Sequence, residues 1–211
     1  MKLIDNAYYM LDKEIDKILY FYNIINDTIK EIGERQKVTL VQGFSLDYIK
    51  DWPKEQRLWI IIDDHLVKEV YHEIADLFAV HSRGKDICVT LITQNLFTKA
   101  GNASKYNRDL VINRSYSVFF PCKADDNQVK TVARSCHINY YTFMSAFFLA
   151  TGYKMGHEYG KVSELEQDNE TKKKNAHKYL MLSLTPYTKP EIELRSDIFF
   201  REENTLLFWP K

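Results

Sequence analysis

Polar and apolar positions alternate along this chain in blocks rather than residue by residue. KILYFYN (17–23), VTLVQGF (38–44), LWIIIDD (58–64), ICVTLITQN (87–95) and SYSVFFPC (115–122) are short, nearly continuous apolar runs. Runs of that length predict strands buried on both faces. Between them the spacing becomes helical. Leu3, Ile4, Ala7, Tyr8, Leu11 and Ile15 predict an amphipathic helix over 1–15. Ile24, Ile25, Ile29 and Ile32 predict a second, closed by Gly33, and SLDYIKDW a short helical segment before Pro53. Apolar residues at 67, 70, 74, 77, 78 and 80 predict a further helix ending at Gly84.

Residues 96–107 are polar and read as a loop, followed by RDLVINR and the fifth strand. Asp125, Asp126 and Asn127 are cap residues for a helix DNQVKTVARSC, and Tyr140 to Leu149 form a very apolar helix ending at Gly152. The chain turns polar from Gly156 to Lys174, the composition of a flexible loop or linker. KYLMLSLTP (178–186) and EIELRSDIFF (191–200) then read as a terminal strand pair. Strands alternating with amphipathic helices predict an α/β fold, a largely parallel sheet with helices on both faces. The expected organisation is one domain over 1–211, with a core at 1–152, a polar loop at 153–176 and the strand pair within 177–200.

Composition narrows the class. The 211 residues are 45% hydrophobic and 14% aromatic, enough for a sizeable core, and only 7 Gly and 5 Pro leave room for long elements. Lys plus Arg and Asp plus Glu are balanced at 29 each, so net charge does not advertise a nucleic-acid or membrane partner. Locally, Lys99, Lys105, Arg108, Arg114, Lys123, Lys130 and Arg134 face only Asp109, Asp125 and Asp126, a bias that also fits a solvated face. Cys88, Cys122 and Cys136 are an odd set without CxxC spacing, which suggests reduced thiols. No apolar stretch approaches the roughly 18 residues of a membrane span, and no signal pattern opens the chain. The expectation is a soluble intracellular protein, with nucleus, cytoplasm and virion not distinguished.

The candidate chemistry begins at LWIIIDD. A buried parallel strand ends at the sheet's carboxyl edge, where open α/β proteins bind ligands. Asp63 there suits support of Mg²⁺ and Asp64 the activation of an attacking water, a Walker-B arrangement. The alternative is a strand that ends in solvated acids, with Asp64 capping the next helix. The neighbouring run ends in Thr93, Gln94 and Asn95, so Gln94 is either a sensor of phosphate or a capping amide. Arg108 or Arg114 suits an arginine finger, worth about 10³–10⁵ in rate, or an ordinary surface ion pair. His65 and His72 lie two helical turns apart, about 10.5 Å, too far to share an ion. No GxSxG, HExxH, GxGxxG or zinc spacing occurs.

In order, IIIDDH, LFAVHSRGKDICVTLITQNLFTKAG and RDLVINRSYSVFFPCKADDNQVKTVARS resemble the FtsK/HerA-type P-loop ATPases that package genomes in double-stranded DNA viruses and Polinton-like transposons. The resemblance covers roughly residues 17–200. It implies a P-loop NTPase fold, with ATP and Mg²⁺ as cofactors and double-stranded DNA as partner, threaded through a homo-oligomeric ring. It further implies that Asp63 supports the metal, Asp64 activates water, Gln94 senses phosphate and Arg108 acts as a finger in trans. Two departures stand out. The wider class mostly has Glu where this chain has Asp64. No GxxxxGK[ST] occurs, so the resemblance would place the family's first strand and phosphate loop immediately before Met1 and leave this chain a poor ATP binder. The alternative is a catalytically dead interaction module derived from such an ATPase, and a third reading is an unrelated α/β fold.

Overall fold

The computed structural model describes residues 2–7, 11, 13–64, 70–82, 85–93, 109–120, 126–135, 138–152, 178–198 and 205–208. They divide between two compact units, Met1–Arg114 and Ser115–Lys211.

The first unit is built on four parallel strands, β1 (Lys17–Tyr22), β2 (Val38–Gln42), β3 (Leu58–Asp63) and β4 (Ile87–Ile92), in the order β2-β1-β3-β4. All four were legible as apolar runs. Even residues of β1 and odd residues of β3 share one face, and Ile18, Tyr20, Trp59 and Ile61 there pack with Ile29 and Ile32 of helix α2 (Asp27–Gly33) and with Leu3 and Ile4. Leu19, Phe21, Leu58, Ile60 and Ile62 point to the other face. They meet Ile49 of α3 (Asp47–Lys50), Ile74 of α4 (Tyr71–Asp76) and Leu110 of a helical turn at 109–113. The sheet is therefore covered on both sides, as continuous apolar strands require.

Local chemistry sets the ends of these elements. Asn26 caps α2 by accepting from the Ile29 N–H at 2.9 Å. Helix α4 widens into a π-helical turn over Leu77–His81. Of the predicted helix over 1–15, α1 covers Lys2–Asp5, the Leu11 N–H donates to the Ala7 carbonyl at 3.0 Å, and residues 13–16 are irregular. Lys13 and Asp16 are drawn instead into the sheet's amino end. Asp16 accepts from the Arg57 N–H at 2.6 Å, and Lys13 pairs with Asp86 at 3.5 Å.

The second unit corrects one expectation. SYSVFFPC does not extend the parallel sheet. β5 (Tyr116–Phe119) pairs antiparallel with β6 (Leu180–Ser183), which pairs antiparallel with β7 (Leu194–Arg195). The predicted terminal strand pair is thus present but takes β5 as its third member. Phe119, Leu180, Leu182 and Leu194 pack with Val129 and Ala133 of α5 (Asp126–Ser135) and with Phe143 and Phe147 of α6 (Tyr140–Thr151). Asn139 caps α6, and Gly152 closes it in the left-handed conformation at φ 67°, which a glycine adopts without a Cβ penalty.

Candidate functional site

The order β2-β1-β3-β4 creates a switch point. The chain passes outward from β1 to β2 on one side and from β3 to β4 on the other, so β1 and β3 are adjacent where the direction reverses. In open parallel sheets the crevice beyond the carboxyl ends of such a pair is where ligands bind. At that edge the in-register neighbours are Tyr22 of β1, Asp63 of β3 and Ile92 of β4.

Residues 58–62 explain how β3 can end in an acid. Leu58, Trp59, Ile60, Ile61 and Ile62 are at most 3% exposed. Each such side chain contributes about 1.5–3 kcal/mol over an exposed one, which anchors the strand and fixes where it emerges. A fully buried, unpaired carboxylate costs several kcal/mol. Asp63 avoids that penalty in two ways. It is only partly buried, and its Oδ2 accepts the phenol hydrogen of Tyr20 at 2.7 Å.

Tyr20 is a site residue that motif reading did not identify. It lies in β1 and is 4% exposed. Burial first, then the hydrogen bond to Asp63, holds its phenol far above the ordinary tyrosine range, so it is a committed donor. One signal was in the sequence: a buried tyrosine needs a partner for its hydroxyl, and Tyr20 sits inside an apolar run. Its partner lies 43 residues away, beyond any local pattern.

Asp64 is exposed and stands in the left-handed region at φ 54°. Its N–H donates to the Ile92 carbonyl at 3.0 Å, continuing the β3–β4 ladder one residue past the strand. That conformation is uncommon for a residue with a Cβ, though Asp tolerates it better than most. It is not the extended conformation typical of a helix N-cap.

Of the four predicted site residues, Asp63 and Asp64 stand together at the carboxyl edge, while Gln94 and Arg108 lie outside the described residues. So does His65, and His72 is exposed. β4, which leads to Gln94, pairs directly with β3, as the reading of neighbouring strands required. Arg114 is partly buried. Cys88 is a free thiol raised by burial, and Cys122 and Cys136 lie outside the described residues.

A cavity of about 480 Å³ opens at the opposite, amino end of the sheet, against Ile15, Ile18, Arg35 and Lys37. Its charged groups are matched: Lys37 with Glu14 at 2.6 Å, Arg35 with Asp5 at 2.6 Å and Lys13 with Asp86. Chemistry favours the carboxyl edge, where the acids and the switch point coincide.

The fold class is α/β with a four-stranded parallel sheet, compatible with a Rossmann-like or P-loop-like arrangement. A scan against protein-family models, a search of curated proteins and a search of solved structures each found no match. Among the described residues no helix is long and apolar enough to cross a membrane.

Proposed function

We propose that this chain carries the acid half of a Mg²⁺-dependent nucleotide-hydrolysing site, in a P-loop-type ATPase subunit that moves double-stranded DNA. The observation that carries the proposal is the placement of Asp63 and Asp64 at the carboxyl end of β3, beside the switch point. The donor set fits the ion. Carboxylate oxygens are hard ligands, and Mg²⁺ characteristically takes one or two of them while keeping several waters.

In this reading Asp63 supports the ion directly or through its waters, and Asp64 orients and deprotonates the attacking water. Bound Mg²⁺ would neutralise charge on the phosphates. Gln94 follows β4 and serves as the phosphate sensor, and Arg108 serves a neighbouring subunit in a homo-oligomeric ring. DNA contacts fall mostly on phosphates, independent of sequence. The local excess of Lys and Arg between residues 99 and 134 supports that partner.

A second reading is favoured by one specific observation: no GxxxxGK[ST] occurs in the 211 residues. On that reading the chain is an interaction module that assembles with an active ATPase and hydrolyses nothing. ATP turnover separates the two, measured on these 211 residues and on a chain extended upstream of Met1. The proposal expects no turnover from the 211 residues and DNA-stimulated turnover from the extended chain. Asp64→Asn should abolish that turnover while leaving assembly intact. An extended chain that assembles but never turns over ATP supports the module and sinks the hydrolase.

A further inference from the structure

We infer that Tyr20 is a positioning residue that presents Asp63 as a one-oxygen ligand and so sets which divalent cation the site accepts. This rests on the proposed role of Asp63 as the metal-supporting acid. The geometry is specific. The Tyr20 phenol reaches Asp63 Oδ2 at 2.7 Å across the β1–β3 pair, where Tyr20 stands opposite Ile61. Its ring is packed in the same apolar cluster as Ile18, Ile29, Ile32, Trp59 and Ile61, so the hydroxyl has no free swing away from the carboxylate.

An oxygen that already accepts a short hydrogen bond is a poor second arm of a chelate. Oδ2 is engaged by Tyr20, which leaves Oδ1 as the metal-facing donor. Mg²⁺ is small, demands near-octahedral geometry and is satisfied by single carboxylate oxygens plus water. Ca²⁺ takes more ligands and commonly binds a carboxylate through both oxygens. The Tyr20 bond therefore favours Mg²⁺ over Ca²⁺. Phenylalanine at this position would keep the ring and release the second oxygen.

The test uses Mn²⁺ as the probe, with free ion followed by electron paramagnetic resonance and displaced by Mg²⁺ or Ca²⁺. It compares the wild type, Asp63→Asn, Tyr20→Phe and, as a control for lost stability, Tyr179→Phe, which removes a phenol–aspartate bond in the other unit. Asp63→Asn should weaken Mn²⁺ binding by about tenfold or more. Tyr20→Phe should weaken Mg²⁺ competition about tenfold, as loss of a ligand-orienting partner does, while Ca²⁺ competition is held or strengthened. Tyr179→Phe should leave the ratio unchanged. If wild-type Mn²⁺ binding does not depend on Asp63, the metal reading falls and this inference with it. If it does depend on Asp63 but Tyr20→Phe leaves the Mg²⁺-to-Ca²⁺ ratio unchanged, only the inference falls. Carboxylate infrared bands of the Mg²⁺-loaded wild type, compared with Asp63→Asn, give a readout that needs no Tyr20 variant: an Asp63-dependent single-oxygen signature supports the inference, and a two-oxygen signature or no Asp63-dependent metal shift overturns it.

Discussion

Each compact unit ties a tyrosine to an aspartate, Tyr20 to Asp63 at 2.7 Å in the first and Tyr179 to Asp197 at 2.8 Å in the second. The surroundings give the two bonds different work. Tyr179 and Asp197 belong to a closed local network: the Tyr179 oxygen also accepts the Ile198 N–H at 2.9 Å, and Arg195 Nε donates to the Asp197 carbonyl at 2.9 Å. All of these groups lie within twenty residues of one another, and the network latches the chain after β7. Tyr20 joins two strands whose residues are 43 apart, and its acceptor stands at the carboxyl edge of a parallel sheet beside a residue in left-handed backbone. The same pair of side chains thus closes a loop in one unit and aims a carboxylate in the other.

The strongest way to break this comparison is to damage one unit and read the other. Phe143 is fully buried and meets Phe119 edge to face at 5.5 Å. Phe143→Ala should cost the second unit about 3–5 kcal/mol, the usual range for a large aromatic truncated in a core. Hydrogen exchange should then rise across β5–β7 and stay protected in β1 and β3, with Asp63-dependent Mn²⁺ binding retained. Equal loss of protection in both sheets would show that the units are not separately stable.

Next in size is the latch itself. Tyr179→Phe leaves the Ile198 N–H and an Asp197 oxygen without the phenol, and should cost about 1–3 kcal/mol by denaturant unfolding. Its effect on metal binding should be nil. A change in metal affinity with this variant would contradict the division of labour.

How much of this was legible from the chain depends on the range of the cause. LWIIID and KILYFY announced themselves as buried strands because burial acts residue by residue, and the helices covering both faces followed from their spacing. Membership of β5 in a second, antiparallel sheet did not, because four residues, one exposed and three partly buried, look the same in either kind of sheet. The last residues of the N-terminal helix were overread because periodicity cannot see Lys13 and Asp16 being recruited to the sheet's amino end. Asp63 and Asp64 were found as candidates because charge at the end of an apolar run is a local signal. Tyr20 was missed because its reason for being polar lies on another strand.

The two phenols also differ in alkaline solution. Burial is the main cause of elevation in both, and Tyr179 is pushed up to about 12 from the ordinary 10.0 while Tyr20 lies higher still. A phenol held protonated in the fold contributes stability that is complete below the unfolded value and is lost as pH rises toward and through the folded one. The denaturation midpoint should therefore hold up to about pH 10 and fall above it, with Tyr179 contributing to the fall up to about pH 12. Tyr179→Phe should flatten that fall, and Tyr20→Phe should flatten the part that continues beyond it. An unchanged slope in either variant would remove that phenol from the account.

The smallest effect in stability is the most discriminating for function. Asp64 sits at φ 54°, where a residue with a Cβ loses about 1–2 kcal/mol in left-handed backbone. Glycine escapes that strain but gives up about 0.5–1 kcal/mol of chain entropy. Asp64→Gly should therefore be neutral or stabilising by up to about 1 kcal/mol, whereas Asp64→Ala keeps the strain, loses aspartate's tolerance for it and should destabilise slightly. If Asp64 merely ends a strand, glycine is the better residue there, and the extended chain should work as well with it. If Asp64 activates water, the same substitution gives a protein no less stable than the original and without turnover. Stability and activity moving in opposite directions at this position would mean that the strained backbone at the end of β3 is kept for the carboxylate it carries.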